Sequence, residues 1–389
     1  MRKIKILHII TRLCAGGARE VVLKIVDNLD KERFDVTLIS GSEDMLTGDG
    51  EISNVRIIVI PQLVRNINPV KDLIALLRLY FFMRREKFDI VHTHTSKAGI
   101  IGRTAALLSN VPIIFHMPHG SIFHSVYYGK FRLFIFSRIE KIAALYTDRI
   151  IVGSDNERDD FVNNGIGAGD KYMRIPYYFI RDRFNDIRVD RQAKRKELNV
   201  PEGALLLANI ARLVPEKGHL FCLGAFKQVL GEIHDAVLLI VGEGRLKGDI
   251  ERKIVELGLQ GNVILTGFRE DIPEILSAAD ISLHTSLWEG TPLTIAEAMS
   301  SGKAVIATAV GGIPEMISDG VNGILVRPQD TDELAKWIIR LSKDRELLAN
   351  LGREAKEYAR VKFNPKHVIE EINSLYDAFL KRKVGGDVS

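Results

Sequence analysis

Short runs of β-branched and aliphatic residues recur along the chain, each followed by a glycine or polar loop and then by a stretch with helical apolar spacing. That rhythm is the signature of parallel βα units. In the first half it predicts strands at KIKILHII, FDVTLIS, VRIIVI, FDIVHTHT, VPIIFHM and DRIIVGS; in the second, at LLLANIARL, AVLLIVG, NVILTG, ISLHTS, AVIATAV and GILV. Strands apolar on both faces need helices on both faces, so each half predicts a doubly wound α/β sheet. The charged, interrupted run from Ile175 to Gly203 is expected to link the halves and lead into the second. The expected units are residues 1–182, 183–365 and 366–389, the last a terminal helix. Val368, Ile372, Leu375 and Phe379 give that helix an apolar stripe that could return across either domain.

Composition narrows the class. A chain of 389 residues is long for one core and comfortable for two, and 46% apolar with 27% charged residues is globular. A net charge of +4 argues against a dedicated nucleic-acid binder. The two cysteines, Cys14 and Cys222, lie in opposite halves, so no disulfide framework or cysteine-rich zinc site is expected and a cytoplasmic setting fits. The N-terminal apolar run is short, holds His8 and has no small-residue cleavage site, so a buried first strand is expected rather than a signal peptide. Arg78, Arg84 and Arg85 break the richest apolar stretch, which argues against a membrane-spanning helix.

The candidate chemistry lies in loops that leave strands, where doubly wound sheets bind ligands. In SLWEGTPLTIAEAMSSG, Glu289 and Gly290 fall in a loop. Pro292 suits the first turn of a helix from Leu293 to Ser301, Thr291 can cap it, and Gly302 can end it. The free amides of Thr291, Leu293 and Thr294, with the helix dipole behind them, make an anion site suited to a diphosphate. Glu297 on that helix could accept two hydroxyls of a ribose, and Glu289 those of an attached sugar; a lone helical glutamate could also simply cap or form a surface ion pair. Arg212 and Lys217 in ARLVPEKG supply two cations at one strand end. Gly242 and Gly244, Gly267 and Phe268, and Gly311 and Gly312 punctuate three more, either as close approaches to a ligand or as ordinary turns.

The run from Arg212 to Gly323 (ARLVPEKG, VGEG, GF, EGTPLTIAEAM, GGIPEMI, NGILV) resembles the nucleotide-sugar-binding domain of retaining glycosyltransferases of family 4, and the glutamate stretch resembles their E-x7-E signature. The resemblance implies the GT-B fold, two Rossmann-like domains facing across a cleft, with 1–182 the acceptor-binding domain and 183–365 the nucleotide-sugar-binding domain. It also implies that Arg212 and Lys217 bind the donor diphosphate, Glu297 the ribose and Glu289 the donor sugar. UDP is the expected base from the family's habit. Gly16 and Gly17, after the first strand, would lie near the donor phosphates, although GGARE carries one residue more than the commoner GG-x-E pattern and leaves Glu20 without a role.

VHTHTSKAGIIGR and FHMPHGSIFH hold His92, His94, His116, His119 and His124. Alternation puts His92 and His94 on one face, which raises a metal site; with no carboxylate or cysteine at ligand spacing, hydrogen-bonding roles are expected instead and no metal or other cofactor. By resemblance His119 is the histidine at the reaction centre. On the acceptor side, Lys97 could attract an anion or be a solvated helix-start lysine, with His94 and His124 as further candidates.

The segment SVYYGKFRLFIFSRIEKIAALY mixes aromatics with Lys130, Arg132, Arg138 and Lys141, so it could rest on an anionic bilayer or be a core helix with snorkelling cations. The resemblance favours a saccharide or polyprenyl-linked saccharide acceptor and the inner face of the cytoplasmic membrane. Epimerase or hydrolase chemistry on the same scaffold, a polymerase, or a non-catalytic binder are the competing readings. A nicotinamide enzyme and a Walker-type ATPase are disfavoured, because GEGRLKG and SSGKAV miss the required spacings.

Overall fold

The computed structural model describes residues 2–13, 16–42, 55–121, 123, 129–178, 184, 187 and 189–385. It resolves into two compact units, Met1–Phe179 with Pro365–Ser389, and Ile180–Asn364.

The first unit holds β1 (Ile4–Ile9), β2 (Phe34–Ser40), β3 (Arg56–Val59), β4 (Ile90–His94), β5 (Ile113–Met117), β6 (Arg149–Val152) and β7 (Tyr172–Arg174), in the sheet order β3-β2-β1-β4-β5-β6-β7. The second holds β8 (Leu206–Ile210), β9 (Val237–Val241), β10 (Val263–Gly267), β11 (Ile281–His284), β12 (Ala304–Thr308) and β13 (Ile324–Val326), in the order β10-β9-β8-β11-β12-β13. Every pairing is parallel. Each is therefore a doubly wound, Rossmann-like sheet, and the pair of them is the GT-B architecture. The central strands β4, β5, β8, β9, β11 and β12 are buried throughout, which is why most of them are largely apolar on both faces; β4, IVHTH, instead buries two histidines and a threonine.

In both sheets the strand order reverses beside the first strand, between β1 and β4 and between β8 and β11. Loops leaving those neighbouring strands turn to opposite sides and leave a crevice at the carboxyl ends. The fold thus sets the β8 loop, with Arg212 and Lys217, beside the β11 loop, with Glu289. It likewise sets the β1 loop, with Gly16 and Gly17, beside the β4 loop, with Lys97.

Two elements differ from the sequence expectation. β7 has three residues, too short to register as an apolar run. Part of the expected linker is folded: Arg191–Glu197 is a helix capped by the Asp190 carboxylate and fixed to the second unit. Arg191 pairs there with Asp280 at 2.6 Å, and the buried Arg195 donates to the carbonyls of Ala278 and Ala204. Its charges are structural, and this part of the run is the expected lead into the second unit. Residues 179–183, 185, 186 and 188 of that run lie outside the described residues.

The helix Pro365–Gly385 buries Val368, Ile369, Ile372, Leu375, Tyr376 and Phe379 in the first unit. Tyr376 stacks on Phe115 and Phe379 meets the same ring edge-on, so the last helix completes the core beneath β4 and β5.

Candidate functional site

In the second unit, the Lys217 ammonium pairs with the Glu289 carboxylate, which also accepts from Ser286 Oγ at 2.7 Å. These residues stand 72 positions apart. Backbone and hydroxyl bonds fix the two loops together: Leu287 N donates to the Glu216 carbonyl at 2.8 Å, and Thr285 Oγ1 to the Lys217 carbonyl at 3.1 Å. Asn209 Nδ2 supports Thr285 Oγ1 at 3.2 Å. Arg212 is exposed and makes no ion pair among the described residues, which leaves a free cation on the same loop as Lys217. His284, just beneath, has its pKa lowered to about 3 by burial and by the Lys217 charge, and is neutral.

The helix runs Leu293–Ser300, with Gly302 in the left-handed region after it. Thr291 does not cap it. The helix starts at Leu293 as expected, but Pro292, with ψ 102°, takes the cap position, and Thr291 Oγ1 is buried without a partner. Leu293, Thr294 and Glu297 are half-buried on this helix, and Gly290 is buried.

The glycines serve loop-to-loop contact. A Cβ on Gly311 would stand 1.8 Å from the Glu289 carbonyl oxygen, one on Gly218 2.0 Å from that of Thr285, and one on Gly242 2.1 Å from that of Ala211. Gly312 N donates to the Glu289 carbonyl at 3.0 Å, so the two glycines clamp the glutamate's own backbone. The Cβ side of Gly244 meets the Leu213 backbone and that of Gly267 the Glu243 carboxylate, while Phe268 is 58% exposed.

In the first unit, His8, His92 and His94 are fully buried at the β1–β4 pairing. His8 Nδ1 and His94 Nε2 share a hydrogen bond at 3.0 Å; so do His94 Nδ1 and His119 Nε2. At the inner end the Tyr376 hydroxyl lies 2.7 Å from His92 Nδ1 and 3.5 Å from His8 Nε2. Burial lowers the pKa of His8 and of His119 to about 3 and pushes those of His92 and His94 well below their usual value, so all four are neutral.

His119 has φ 59°, a left-handed conformation rare for a residue with a Cβ. The buried Glu157 holds this turn by accepting from Gly120 N at 2.6 Å and Gly153 N at 2.9 Å; burial raises its pKa to about 7. Tyr177 meets the His119 ring edge-on. His116 belongs elsewhere: it bonds Thr93 Oγ1 at 3.0 Å and sits by the buried Arg103–Glu140 pair.

Lys97 is neither solvated nor free. It pairs with Asp72 at 2.6 Å and donates to the Asn66 carbonyl, so its charge is spent within the unit. Gly16 has φ 145° and open space on its Cβ side, and Gly17 begins the helix Gly17–Asn28. His124 lies outside the described residues, as do Cys14 and Ala15.

Residues 190–358 match the family model described as glycosyl transferases group 1, and residues 15–176 the model described as glycosyltransferase family 4. An Escherichia coli UDP-Gal:alpha-D-GlcNAc-diphosphoundecaprenol alpha-1,3-galactosyltransferase is 32% identical over 377 residues, 96% of this chain and 97% of that protein. The chain is a family 4 glycosyltransferase. The capsular polysaccharide biosynthesis glycosyltransferase CapM of Staphylococcus aureus is 25% identical over 99% of this chain and 100% of its own length. Among solved structures, Anabaena HepE with UDP and glucose has a TM-score of 0.79 at 22% identity over 96% of this chain and 100% of that one. The sucrose-phosphate synthase of Thermosynechococcus elongatus has a TM-score of 0.81 at 22% identity, over 98% and 100%.

Within this glycosyltransferase, the sequence missed Ser286 and Thr285, which aim and brace the glutamate loop. It also missed Glu157 and Tyr376, and gave His8 no role. A histidine inside an otherwise apolar strand and a tyrosine in an apolar helical stripe were the available signals.

Proposed function

We infer that the enzyme moves a sugar, with retention at the anomeric carbon, from a UDP-sugar to a saccharide or lipid-linked saccharide of cell-surface polysaccharide synthesis. The observation that carries the reading is the pairing of Lys217 with Glu289 at the switch point of the second sheet, with the exposed Arg212 on the same loop as Lys217. The ion pair holds both groups in place before any ligand arrives. A donor diphosphate would draw on Lys217, Arg212 and the amides at the start of the Leu293–Ser300 helix, with Glu297 on the ribose and Glu289 on the sugar.

In the transfer, the bond from the anomeric carbon to the diphosphate oxygen breaks with oxocarbenium character while the acceptor oxygen bonds the same face. The acceptor's proton passes to the departing diphosphate. The cations stabilise that leaving group, so no divalent ion is required; activity lost to chelator and restored only by metal would overturn this. The names of the Escherichia coli and Staphylococcus aureus relatives, and the UDP held by HepE, support the donor and acceptor classes.

An exposed apolar stripe supports attachment to an anionic bilayer at the cytoplasmic face. On the helix Lys130–Leu145, Phe131 is 75% and Leu145 78% exposed, with Phe134, Ile135, Ile139 and Ile142 between them and Arg132 and Arg138 alongside. No helix among the described residues is long and apolar enough to cross a membrane.

The test is a donor screen: each common UDP- and GDP-sugar with the purified protein, first alone and then with a membrane lipid extract, reading released nucleotide and new lipid-linked product. Release that depends on the extract is expected. Turnover without acceptor would favour hydrolysis or epimerisation.

A further inference from the structure

Four imidazoles and one phenol run in an unbroken line through the first unit: His119, His94, His8, Tyr376, His92. His8, His92 and His94 also place one ring nitrogen each within 4.8 Å of the others, a spacing open to a metal ion. Yet His8 Nδ1 and His94 Nε2 point at each other along a 3.0 Å hydrogen bond, whereas ligands of one ion would converge on a third point. The contacts are those of a wire.

A neutral imidazole carries one N–H, so in each link one nitrogen donates and the other accepts. Setting the direction of one link therefore sets the next. The phenol donates once and accepts once, and it carries the same direction across to His92; its 3.5 Å contact with His8 is the weakest link. All four histidines must then share a single tautomer, every one protonated on Nδ1 or every one on Nε2.

The ends choose between these two states. His92 Nε2 and His119 Nδ1 are both buried without a partner. In the Nε2–H state a donor is stranded at His92, which is fully buried and out of reach of any ligand. In the Nδ1–H state His92 strands only a lone pair and the unpartnered donor is His119 Nδ1; that atom is buried as well, but it belongs to a partly exposed residue beyond β5, so of the two ends only this one can be met by a ligand.

We propose that the His92–Tyr376–His8–His94–His119 wire fixes His119 as an Nδ1–H donor toward a substrate oxygen, with Tyr376 of the last helix as a positioning residue. The proposal rests on the reading of His119 as a reaction-centre residue, but the proton positions are measurable without turnover.

The experiment is a long-range nitrogen–proton NMR correlation on the full chain labelled with 15N-histidine, for wild type and Tyr376→Phe. All four histidines are expected as Nδ1–H in the wild type. Mixed tautomers, or Nε2–H throughout, would overturn the assignment. In Tyr376→Phe, checked for an unchanged melting temperature, His119 is expected to populate both tautomers and kcat to fall about tenfold with donor KM unchanged. A folded variant with wild-type tautomers and kcat would remove Tyr376 from the wire. If that variant does not fold, the wild-type spectrum alone decides. Failure of the donor screen with the expected tautomers present would count against the transferase reading and leave the wire standing.

Discussion

The two sheets share one topology and use it for opposite electrostatics. At the switch point of the second, a lysine and a glutamate are held as ions on half-exposed loops; at that of the first, histidines are buried until they cannot charge. Polyanionic ligands need fixed charge, which costs least where solvent still reaches it. A defined hydrogen-bond direction needs neutral groups, which burial enforces. The same βα framework thus supplies a charged half and a neutral half.

The sharpest way to break the comparison is to remove charge from the second unit. Lys217→Ala is predicted to lower kcat/KM about 10²- to 10³-fold. With Glu289→Ala it should show strong non-additivity in a double-mutant cycle, because each single change leaves the other ion unpaired. Additive losses would mean that the pair is a surface contact.

Gly311→Ala asks whether the charged loop needs its backbone clamp. A Cβ 1.8 Å from the Glu289 carbonyl, on a residue at φ 53°, should cost about 1–3 kcal/mol and lower the melting temperature along with activity. A melting temperature equal to wild type would refute the clamp.

Acid should separate the units. The folded pKa of His8 and His119 lies near 3, below the unfolded value of 6.5, so their stabilising contribution is complete above pH 6.5 and is lost as pH falls toward 3. Each removes roughly 1.4 kcal/mol per pH unit in that window. His92, His94 and His116 act in the same direction in the first unit, and the single Glu157, raised to about 7, opposes these five histidines as it protonates. In the second unit His284 does so, and His219 shifts the same way. Hydrogen exchange between pH 7 and 5 should therefore show the first unit opening before the second; the reverse order would contradict the account.

The smallest effect concerns the exposed stripe. Phe131→Ser with Leu145→Ser should weaken binding to anionic vesicles severalfold while leaving the melting temperature within a degree or two. Unchanged vesicle binding would sink the membrane reading.

The sequence by itself determined the alternating βα units and the positions of Arg212, Lys217, Glu289 and Glu297, because apolar runs and glycine loops are local signals. Tertiary structure alone decided which of those residues meet. β8 and β11 become neighbours only through sheet order, so the pairing of Lys217 with Glu289 had no local signature. The same holds for Lys97, spent on Asp72, and for Arg191 and Arg195, fixed to the second unit. His8, His92 and Tyr376 lie far apart in the chain and converge because two parallel strands and a returning helix bury one face together. Local pattern fixes which face of an element is apolar; a polar contact across that face depends on partners that only the packed fold brings within hydrogen-bond distance.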